Sequence, residues 1–531
     1  MADIATASPG AWSHITHTLS LLPGSKIASH YIKNSYQNDP FRIVLEVCLL
    51  LFVAWYLLEK RYRVDHHEIT LTKQEVDELV DDWQPEPLVP DATEWEQREL
   101  DLVPVLASGQ GPRPRLVGSD TPVLNLASYN FLGLIGNEEL KEHAVHTLRK
   151  YGVGSCGPPG FYGTLDVHID LERRLASFIG TEEAIIYSQG ITTTLSVIPC
   201  FSKRGDLIIC DEGVSFAIQK GIQITRSQIR YFKHNDMTDL ERVLREVQRE
   251  DQATKRMVTR RFIVVEGLYV NTGDVAPLPT IMRLKEQYKY RLILDESFSF
   301  GVLGQHGRGL TSHLNVDPTK VDILIGSMCN ALGSSGGFCT GRRELVEHQR
   351  LSGLGYVFSA SLPAILAVYA IDGLDILQST RGEKILADLQ RNSHVMAEGL
   401  HRLAASPAVQ VLTDEKEKDG ASPIFHLRLR RPWAQSVLPL AALDTTVPGD
   451  PRTPLPTVAR IEFEKVLQRV VAASLAQGIL LTRAKYVCDQ ERKVPDPSIR
   501  VCVSAAHTEE ETRNAAQVIT DAVTEVFNEY Q

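Results

Sequence analysis

The sequence predicts an α/β protein with a mainly parallel sheet in a large domain, a smaller C-terminal α+β domain, and an N-terminal transmembrane helix. From about residue 96, short apolar runs alternate with amphipathic stretches, as in a sheet covered by helices on both faces. After about Gly353 the pattern changes to long helical stretches with few strands. Near the N-terminus, residues 43–58 are apolar except for Glu46, which predicts the membrane segment.

Composition places the chain among ordinary globular proteins and argues against several other classes. A length of 531 residues allows a large core and more than one domain. The net charge of -10 and the scattered basic residues argue against a general nucleic-acid binder. The eight cysteines form no C-x-x-C pair and have no fixed spacing, so neither a metal site nor a disulfide framework is predicted. We interpret them as mostly buried thiols in a reducing compartment.

The apolar run predicts a single transmembrane helix over residues 41–60. About 16 residues from Ile43 to Leu58 give roughly 24 Å of helix, a little short of the ~30 Å hydrocarbon core. Trp55 and Tyr56 lie where interfacial aromatic residues are expected, and basic residues follow. A buried helix of the globular part is the alternative, but the run precedes that part and a charged stretch follows it. Residues 1–40 are interpreted as a luminal or membrane-surface segment and residues 61–95 as a linker.

Five short runs rich in Ile, Leu and Val are predicted to be strands of the large domain, which we place at residues 96–355. Amphipathic stretches such as Met237–Glu250 separate them and are predicted to be the covering helices. The five runs are Ala184–Ser188, Asp206–Asp211, Arg261–Gly267, Arg291–Ser297 and Asp322–Met328.

Residues 356–531 are predicted to form the smaller domain. A helix-rich run from Leu362 to Ala404 leads to a strand-like segment, Phe425–Leu429, and then to an irregular Pro-rich loop at residues 438–460. Thr508 with Glu511 three residues later predicts a capping box at the start of the last helix.

Glycine-rich and aromatic motifs identify the relatives of the globular part. In chain order they are SYNFLGL at 128–134, YGVGSCGPPGFYGTLDVHIDLE at 151–172, EGLYVNTGDVAPLP at 266–279, LDESFSFGVLGQHGRG at 294–309, GSMCNALGSSGGFCTG at 326–341, FSASLP at 358–363 and RVCVSAAHT at 500–508. Their wording and order resemble the α-oxoamine synthases, pyridoxal-phosphate (PLP) enzymes that condense an amino acid with an acyl-coenzyme A. The resemblance covers about residues 96–531 and implies a PLP-dependent aminotransferase-like fold (fold type I).

The chain departs from that family at the residues that its cofactor requires. A lysine amine holds the aldehyde of PLP, and a carboxylate faces the pyridine nitrogen. At the lysine position this chain has Asn330, whose amide nitrogen is not nucleophilic, so no catalytic residue is predicted here. Asp295 keeps the carboxylate, but Phe298 replaces one family histidine, and Ser215 lies at or beside the place of the stacking histidine. Without the lysine, Asp295 is expected to cap a loop or a helix N-terminus.

Within this family, the chain is similar to the non-catalytic long-chain-base subunits of serine palmitoyltransferase. The resemblance implies a heterodimer with the catalytic subunit, long-chain-base subunit 2, which binds PLP covalently in place of this chain. That enzyme condenses L-serine with palmitoyl-coenzyme A to 3-ketosphinganine in sphingolipid synthesis, at the endoplasmic reticulum membrane. The resemblance also implies a single membrane pass, a cytosolic large domain and contact with membrane lipids, and it allows small regulatory membrane subunits as further partners. This chain alone is predicted to be inactive.

The resemblance further implies which residues reach the partner's site. Ser335 in the GSSGG stretch, with Ser359 and Ser361 in the FSAS stretch, is implied to contact the phosphate of the partner's cofactor. An interface position near that site is implied for Cys156, Tyr187 and Phe358. For Cys156, a small residue that fits among close backbones is an equally good interpretation.

Two alternatives stay open at this point. An active synthase with an unrecognised base is one, and Asn330 argues against it. A regulatory or scaffold protein that keeps the fold without contributing to an active site is the other. Substitutions at Ser335 or Ser359 would leave the activity of the complex untouched if the scaffold alternative held.

Overall fold

The computed structural model describes residues 23–38, 40–58, 71–85, 87–89, 91–254, 259–413, 422–440, 446–449 and 453–530. The chain divides into unit 1, Met1–Asp91, and unit 2, Ala92–Gln531. Several segments for which predictions were made lie outside the described residues. They include residues 1–22 of the N-terminal segment, the basic residues that follow the apolar run, and residues 441–445 and 450–452 of the Pro-rich loop.

Unit 1 contains helices α1 Ser25–Asn38, α2 Pro40–Leu58 and α3 Lys73–Asp82. Helix α2 coincides with the predicted transmembrane segment. Among the described residues, no helix combines the length and the apolar character that crossing a membrane requires. The transmembrane helix at residues 41–60 is therefore unconfirmed and stays a prediction.

Within the described residues, the strands of unit 2 form three sheets. They are β1 Leu124–Asn125, β2 Glu183–Tyr187, β3 Leu207–Asp211, β4 Gln228–Phe232, β5 Arg261–Glu266, β6 Arg291–Asp295, β7 Ile323–Ser327, β8 Gly337–Gly341, β9 Val409–Leu412, β10 Ile424–Leu429, β11 Ile479–Leu480, β12 Thr482–Arg483 and β13 Ser498–Cys502. The large sheet has the order β2-β8-β7-β6-β5-β3-β4, the antiparallel sheet the order β12-β13-β10-β9, and β1 pairs with β11.

The predicted mainly parallel sheet is confirmed, since only β8 runs against its neighbours in the large sheet. All five predicted strands are present. The sequence analysis missed β4 and β8. Strand β4 lies at the sheet edge and carries Gln228 and Arg230, while β8 begins and ends with glycine. Neither strand shows the continuous apolar run of a strand buried on both faces.

Helices pack against the large sheet and the antiparallel sheet. In unit 2 they are α4 Glu94–Asp101, α5 Glu138–Tyr151, α6 Asp166–Ile179, α7 Gly190–Phe201, α8 Phe216–Thr225, α9 Met237–Thr254, α10 Leu278–Tyr288, α11 Leu310–His313, α12 Arg343–Ser352, α13 Leu354–Val357, α14 Ala364–Leu377, α15 Thr380–Leu400, α16 Arg431–Val437, α17 Thr457–Ala476 and α18 Glu509–Asn528. Short 3₁₀ turns lie at Gln305–Gly307, Pro318–Lys320 and His401–Ala405.

Two hydrophobic cores divide within helix α15. Its residue Leu389 belongs to the core around the large sheet, whereas Met396 belongs to the core around the antiparallel sheet. Helix α14, which the sequence analysis assigned to the smaller domain, packs in the first core. Leu124 and Leu126 pack in the second core because β1 pairs with β11. The N-terminal end of unit 2 thus helps to build the smaller domain.

The capping box predicted at Thr508 is confirmed: its hydroxyl accepts from the Glu511 N–H, and the Glu511 carboxylate accepts from the Thr508 N–H. Thr508→Ala is expected to lower the free energy of unfolding by about 1 kcal/mol, because a helix N–H loses its acceptor. Chemical denaturation of the full chain measures this. The matched control is Thr524→Ala, an exposed threonine within the same helix; equal losses for both variants would refute the capping contribution.

Candidate functional site

A cavity of about 400 Å³ lies at the carboxyl ends of the parallel strands. Its lining includes Ser215 after β3, Glu266 at the end of β5, Asp295 at the end of β6 and Asn330 after β7. In open α/β sheets, ligands bind at this edge. The residues that the sequence analysis compared with the cofactor site of the family are therefore brought together in one cavity.

Asn330 connects two loops of this cavity through a hydrogen bond. Its Nδ2 donates a hydrogen bond of 2.8 Å to the carbonyl oxygen of Ser297. The bond joins the loop after β7 to the loop after β6. An amide in this role supplies neither a nucleophile nor a titratable proton.

Asp295 is buried and satisfied by hydrogen bonds. One carboxylate oxygen accepts from the Ser297 N–H at 2.9 Å and the other from the Thr194 hydroxyl at 3.2 Å. Burial raises its pKa from the ordinary value. The bond to Ser297 N–H is the loop cap that the sequence analysis expected.

Glu266 lies beside Asp295 on the neighbouring strand, and the two are register partners. Its carboxylate accepts from the backbone N–H groups of Ser215 and Val270. Burial and the neighbouring Asp295 raise the pKa of Glu266 to about 8. The raised pKa favours the protonated form of Glu266, which limits the repulsion between the two carboxyl groups.

The opposite wall of the cavity comes from the smaller domain. The Arg500 guanidinium stacks 4.1 Å from the ring centroid of Tyr129, and it donates to the Tyr129 hydroxyl and to the Ala127 carbonyl. His426 is buried, bonded to Val270 and Ser498, and burial lowers its pKa to about 3. A positive and a neutral side chain thus face the two carboxyl groups.

Lys485 also lines the cavity, and sequence analysis did not find it. It lies 155 positions beyond Asn330 in a segment without a family motif, so no sequence signal was available. Its side chain is 61% exposed, and partial desolvation, with the Arg483 guanidinium nearby, lowers its pKa. Its ammonium donates to the Glu99 carboxylate at 2.7 Å, which holds it in an ion pair.

The residues present do not fit covalently bound PLP. Asn330 offers no amine, neither Ser215 nor Phe298 offers an imidazole to stack on a pyridine ring, and the Lys485 amine is engaged by Glu99. Of the groups that the family uses to hold the cofactor, the cavity retains the Asp295 carboxylate. We therefore assign no chemical step on PLP to this cavity.

A second, smaller pocket of about 210 Å³ contains Tyr187, Ser359 and Ser361. The Ser359 hydroxyl lies 3.0 Å from that of Ser188. Ser361 is 7% exposed, and its hydroxyl has no hydrogen-bond partner within the described residues. Tyr187 lines this pocket. Its hydroxyl donates a hydrogen bond to Gln349.

Ser335 lines neither of these two cavities. It lies half-buried in the loop between β7 and β8, beside Gly336, whose carbonyl accepts from the Met328 N–H. The structure therefore brings Ser359 and Ser361 into one pocket, and Ser335 is not among its lining residues, although the neighbouring Gly336 lies close to Tyr187 and Leu362, which line it.

An exposed apolar patch lies next to the smaller pocket. Phe358 is 78% exposed, and Cys156 is exposed with a positive φ of 59°. Helix α13 contacts the turn Pro159–Gly163, so these segments share one surface. We define the interface patch as Val153, Cys156, Phe161, Tyr162, Leu354 and Phe358. Contiguous exposed apolar residues are typical of a protein–protein contact.

Comparison with known proteins places the chain. The family model for aminotransferases of class I and II matches residues 121–519. Serine palmitoyltransferase 1 of Dictyostelium discoideum is 44% identical over 467 residues, covering 87% of this chain and 90% of the relative. Serine palmitoyltransferase 1 of Saccharomyces cerevisiae is 37% identical, covering 98% and 96%. Long chain base biosynthesis protein 1 of Arabidopsis thaliana is 48% identical, covering 68% and 71%.

Solved structures share the fold. A structure described as SPT with PLP internal aldimine matches with a TM-score of 0.65 at 22% identity, covering 81% of this chain and 96% of that one. The 8-amino-7-oxononanoate synthase of Francisella tularensis matches with a TM-score of 0.56 at 20% identity, covering 77% and 99%. At these identities the likeness shows the fold alone, and it confirms the predicted aminotransferase-like α/β architecture.

Proposed function

The chain belongs to the serine palmitoyltransferase 1 family within the class I and II aminotransferases, and on that premise we propose that it is the non-catalytic subunit of a serine palmitoyltransferase. The enzyme condenses L-serine with palmitoyl-coenzyme A to 3-ketosphinganine, a step of sphingolipid synthesis. The partner is the lysine-bearing long-chain-base subunit 2. PLP is bound there, where it supplies an electron sink for the amino acid's α-carbon.

Asn330 carries this proposal. A lysine at this position would hold the cofactor, whereas the amide found there is bonded to the Ser297 carbonyl. The surrounding cavity keeps Asp295 but lacks the imidazoles of the family site. A chain with this site and this family membership takes part in the reaction through another subunit.

The interface patch and the smaller pocket support a contribution in trans. Ser359 lies in the pocket, with its hydroxyl 3.0 Å from that of Ser188, at the edge of exposed apolar surface. Two hydroxyl groups at this distance are suited to donate hydrogen bonds to a phosphate from a docked partner. Ser361 is too buried to donate a hydrogen bond to the phosphate of the partner's cofactor. The proposed phosphate contact is therefore limited to Ser359, and Ser335 is a separate candidate position.

We also propose that residues 41–60 attach the enzyme to the endoplasmic reticulum membrane with unit 2 on the cytosolic side. The described side chains of helix α2 are mostly large, apolar and exposed, among them Phe41, Leu50 and Leu58. Burying them in lipid removes this surface from water. The acyl substrate and the long-chain product both partition into the same phase.

The decisive experiment purifies the full chain alone and together with a lysine-bearing relative. We expect no internal aldimine absorbance and no condensation from the chain alone, and both from the pair. An aldimine with turnover from the single chain would overturn the proposal and point to the Lys485 amine.

A second measurement separates a subunit that completes the site from a scaffold. In the pair, Ser359→Ala is expected to lower turnover about tenfold, since hydrogen bonds to charged groups contribute about 1.5–3 kcal/mol. The matched control is Ser436→Ala, an exposed serine of the smaller domain, bonded to the Trp433 carbonyl. Equal turnover for both variants would favour the scaffold alternative.

A further inference from the structure

The amino ends of four neighbouring parallel strands form one edge of the large sheet, opposite the edge that carries the larger cavity. Leu207 of β3 is the register partner of both Gln228 of β4 and Arg261 of β5. Phe262 of β5 is in turn the register partner of Arg291 of β6. Because neighbouring strands lie ~4.8 Å apart, the amino ends from β4 to β6 form a row roughly 14 Å wide.

Six basic residues lie along this row, and all six are exposed. Each of them stands at the start of one of the four strands or in the loop that leads into it. We define the basic edge as Lys203, Arg204, Arg226, Arg260, Lys289 and Arg291. In a chain with a net charge of -10, six positive charges along one edge are a local reversal of sign.

Nearby carboxylates neutralise little of the basic edge. Asp251 pairs with Arg261 at 2.7 Å. Asp206, whose side chain is 8% exposed, lies 3.8 Å from the Arg260 guanidinium. Glu286, in the last turn of α10, is an exposed carboxylate. Among the described residues, the other five side chains of the basic edge form no ion pair, so their charge is available to a ligand.

Stabilisation of helix ends explains only part of this pattern. A positive charge interacts favourably with the carbonyl end of a helix, within about one turn. Arg226 and Lys289 directly follow α8 and α10 and fit this role. Arg204 and Arg291 come three residues after the ends of α7 and α10, and Arg260 comes six after the end of α9. These three arginines require another explanation.

The surroundings of the basic edge favour a broad anionic surface as its ligand. The basic edge borders neither of the two cavities described above, so it is not the rim of a small-molecule site there. Phe201 and Tyr290 lie beside it but are buried, and they cannot stack on the bases of a nucleic acid. Anionic lipids of a cytosolic leaflet attract clustered lysine and arginine side chains without requiring a cavity or exposed rings.

We propose that the basic edge lies against anionic lipid headgroups of the membrane to which residues 41–60 attach the chain. This inference rests on the membrane attachment proposed above. The attachment keeps unit 2 near the bilayer, and the basic edge then determines which side of unit 2 faces the lipid. Since the larger cavity lies at the opposite edge of the sheet, it is turned away from the headgroups.

The first test compares lysine acetylation of the full chain in two kinds of vesicle, phosphatidylcholine alone and phosphatidylcholine with about 30% phosphatidylserine. Mass spectrometry reads the rate at each lysine. Lys203 and Lys289 are expected to react at least about threefold more slowly on the anionic vesicles at low salt, and the protection is expected to disappear at high salt. Lys141, exposed on α5, is the control within the same sample. Equal rates on both vesicles at Lys203 and Lys289 would overturn the inference.

The second test reverses charge at the basic edge. In the full chain, Arg226→Glu combined with Arg291→Glu is expected to abolish the protection of Lys203 by anionic vesicles. The matched control combines Arg149→Glu on α5 with Lys384→Glu on α15, both exposed and outside the basic edge, and it should keep the protection. Melting curves check that both double variants fold. Protection that persists after reversal at the basic edge would contradict the proposal.

Two further readouts separate this inference from the proposals on which it rests. If the full chain fails to float with either kind of vesicle, the membrane attachment itself is wrong. If it floats with both and Lys203 is protected on neither, only the lipid contact of the basic edge is refuted. Protection of Lys203 on neutral vesicles when the lysine-bearing subunit is added would instead assign the edge to a protein contact and overturn the inference.

Discussion

Replacing His234 with alanine is expected to lower the free energy of unfolding by roughly 3–5 kcal/mol, the loss typical of breaking a buried ion pair. The imidazole lies between two carboxylates, with Nδ1 2.8 Å from Asp211 and Nε2 3.0 Å from Asp274. The Asp211 side chain is completely buried. Without the imidazolium, two carboxylates would face each other at the carboxyl end of β3 with no cation between them.

The pH dependence of stability provides a second measure of the same group. Burial alone would lower the pKa of His234, but the charges and hydrogen bonds of Asp211 and Asp274 outweigh it and raise the pKa to about 10. Since the unfolded value is about 6.5, the folded state binds this proton more tightly. The stabilisation is fully present below about pH 6.5 and is lost as the pH rises toward 10.

Chemical denaturation of the wild type and of His234→Gln at pH 6 and pH 10 measures this effect. The difference between the two proteins is expected to shrink at the higher pH, because the wild type loses its charge there. The control for the alanine variant is His146→Ala, a histidine on the exposed face of α5. A loss of stability no greater than that of the control would contradict the role assigned to His234.

Gly163→Ala is expected to disrupt the turn that carries Tyr162 and to weaken the pair at least tenfold. A Cβ at Gly163 would lie 1.9 Å from the Gly157 carbonyl oxygen and 2.6 Å from Ser361 Oγ. The carbonyl is backbone held by the Ser361 N–H, so relief requires moving the whole loop. Crowding of this kind typically costs 1–3 kcal/mol.

Gly160 provides a matched control three residues earlier in the same turn. A Cβ there would meet no atom within 4 Å, so Gly160→Ala is expected to melt like the wild type. Thermal unfolding of the full chain and the dissociation constant of the pair are the two measurements. Equal behaviour of the two alanine variants would show that the packing around Gly163 does not determine the turn.

The strands could be predicted from the sequence where burial requires apolar residues. The central residues of strands β3, β5, β6 and β7 are apolar because helices cover both faces of the sheet. The capping box at Thr508 was readable because capping depends on residues three positions apart. Strand β8 could not be predicted in this way, since its sequence GFCTG begins and ends with glycine and contains no continuous apolar run.

Part of the candidate site was also predicted, because some of its residues stand in recognisable motifs. Asn330 and Asp295 stand in motifs with fixed wording, and the structure places both in one cavity. Lys485 and His426 reach that cavity from the smaller domain, and no local pattern indicates it. The motif alone also did not show that Ser361 is buried and Ser359 partly accessible, because that difference depends on the turn packed against them.

The hydrogen bond from Asn330 to the Ser297 carbonyl has an evolutionary consequence. A reversion to lysine at this position would remove the bond that joins the loops after β6 and β7. It would also place an amine in a cavity where Ser215 and Phe298 offer no imidazole. On the proposed function, an active lysine site here would require several coordinated substitutions, so reliance on a catalytic partner would be hard to reverse.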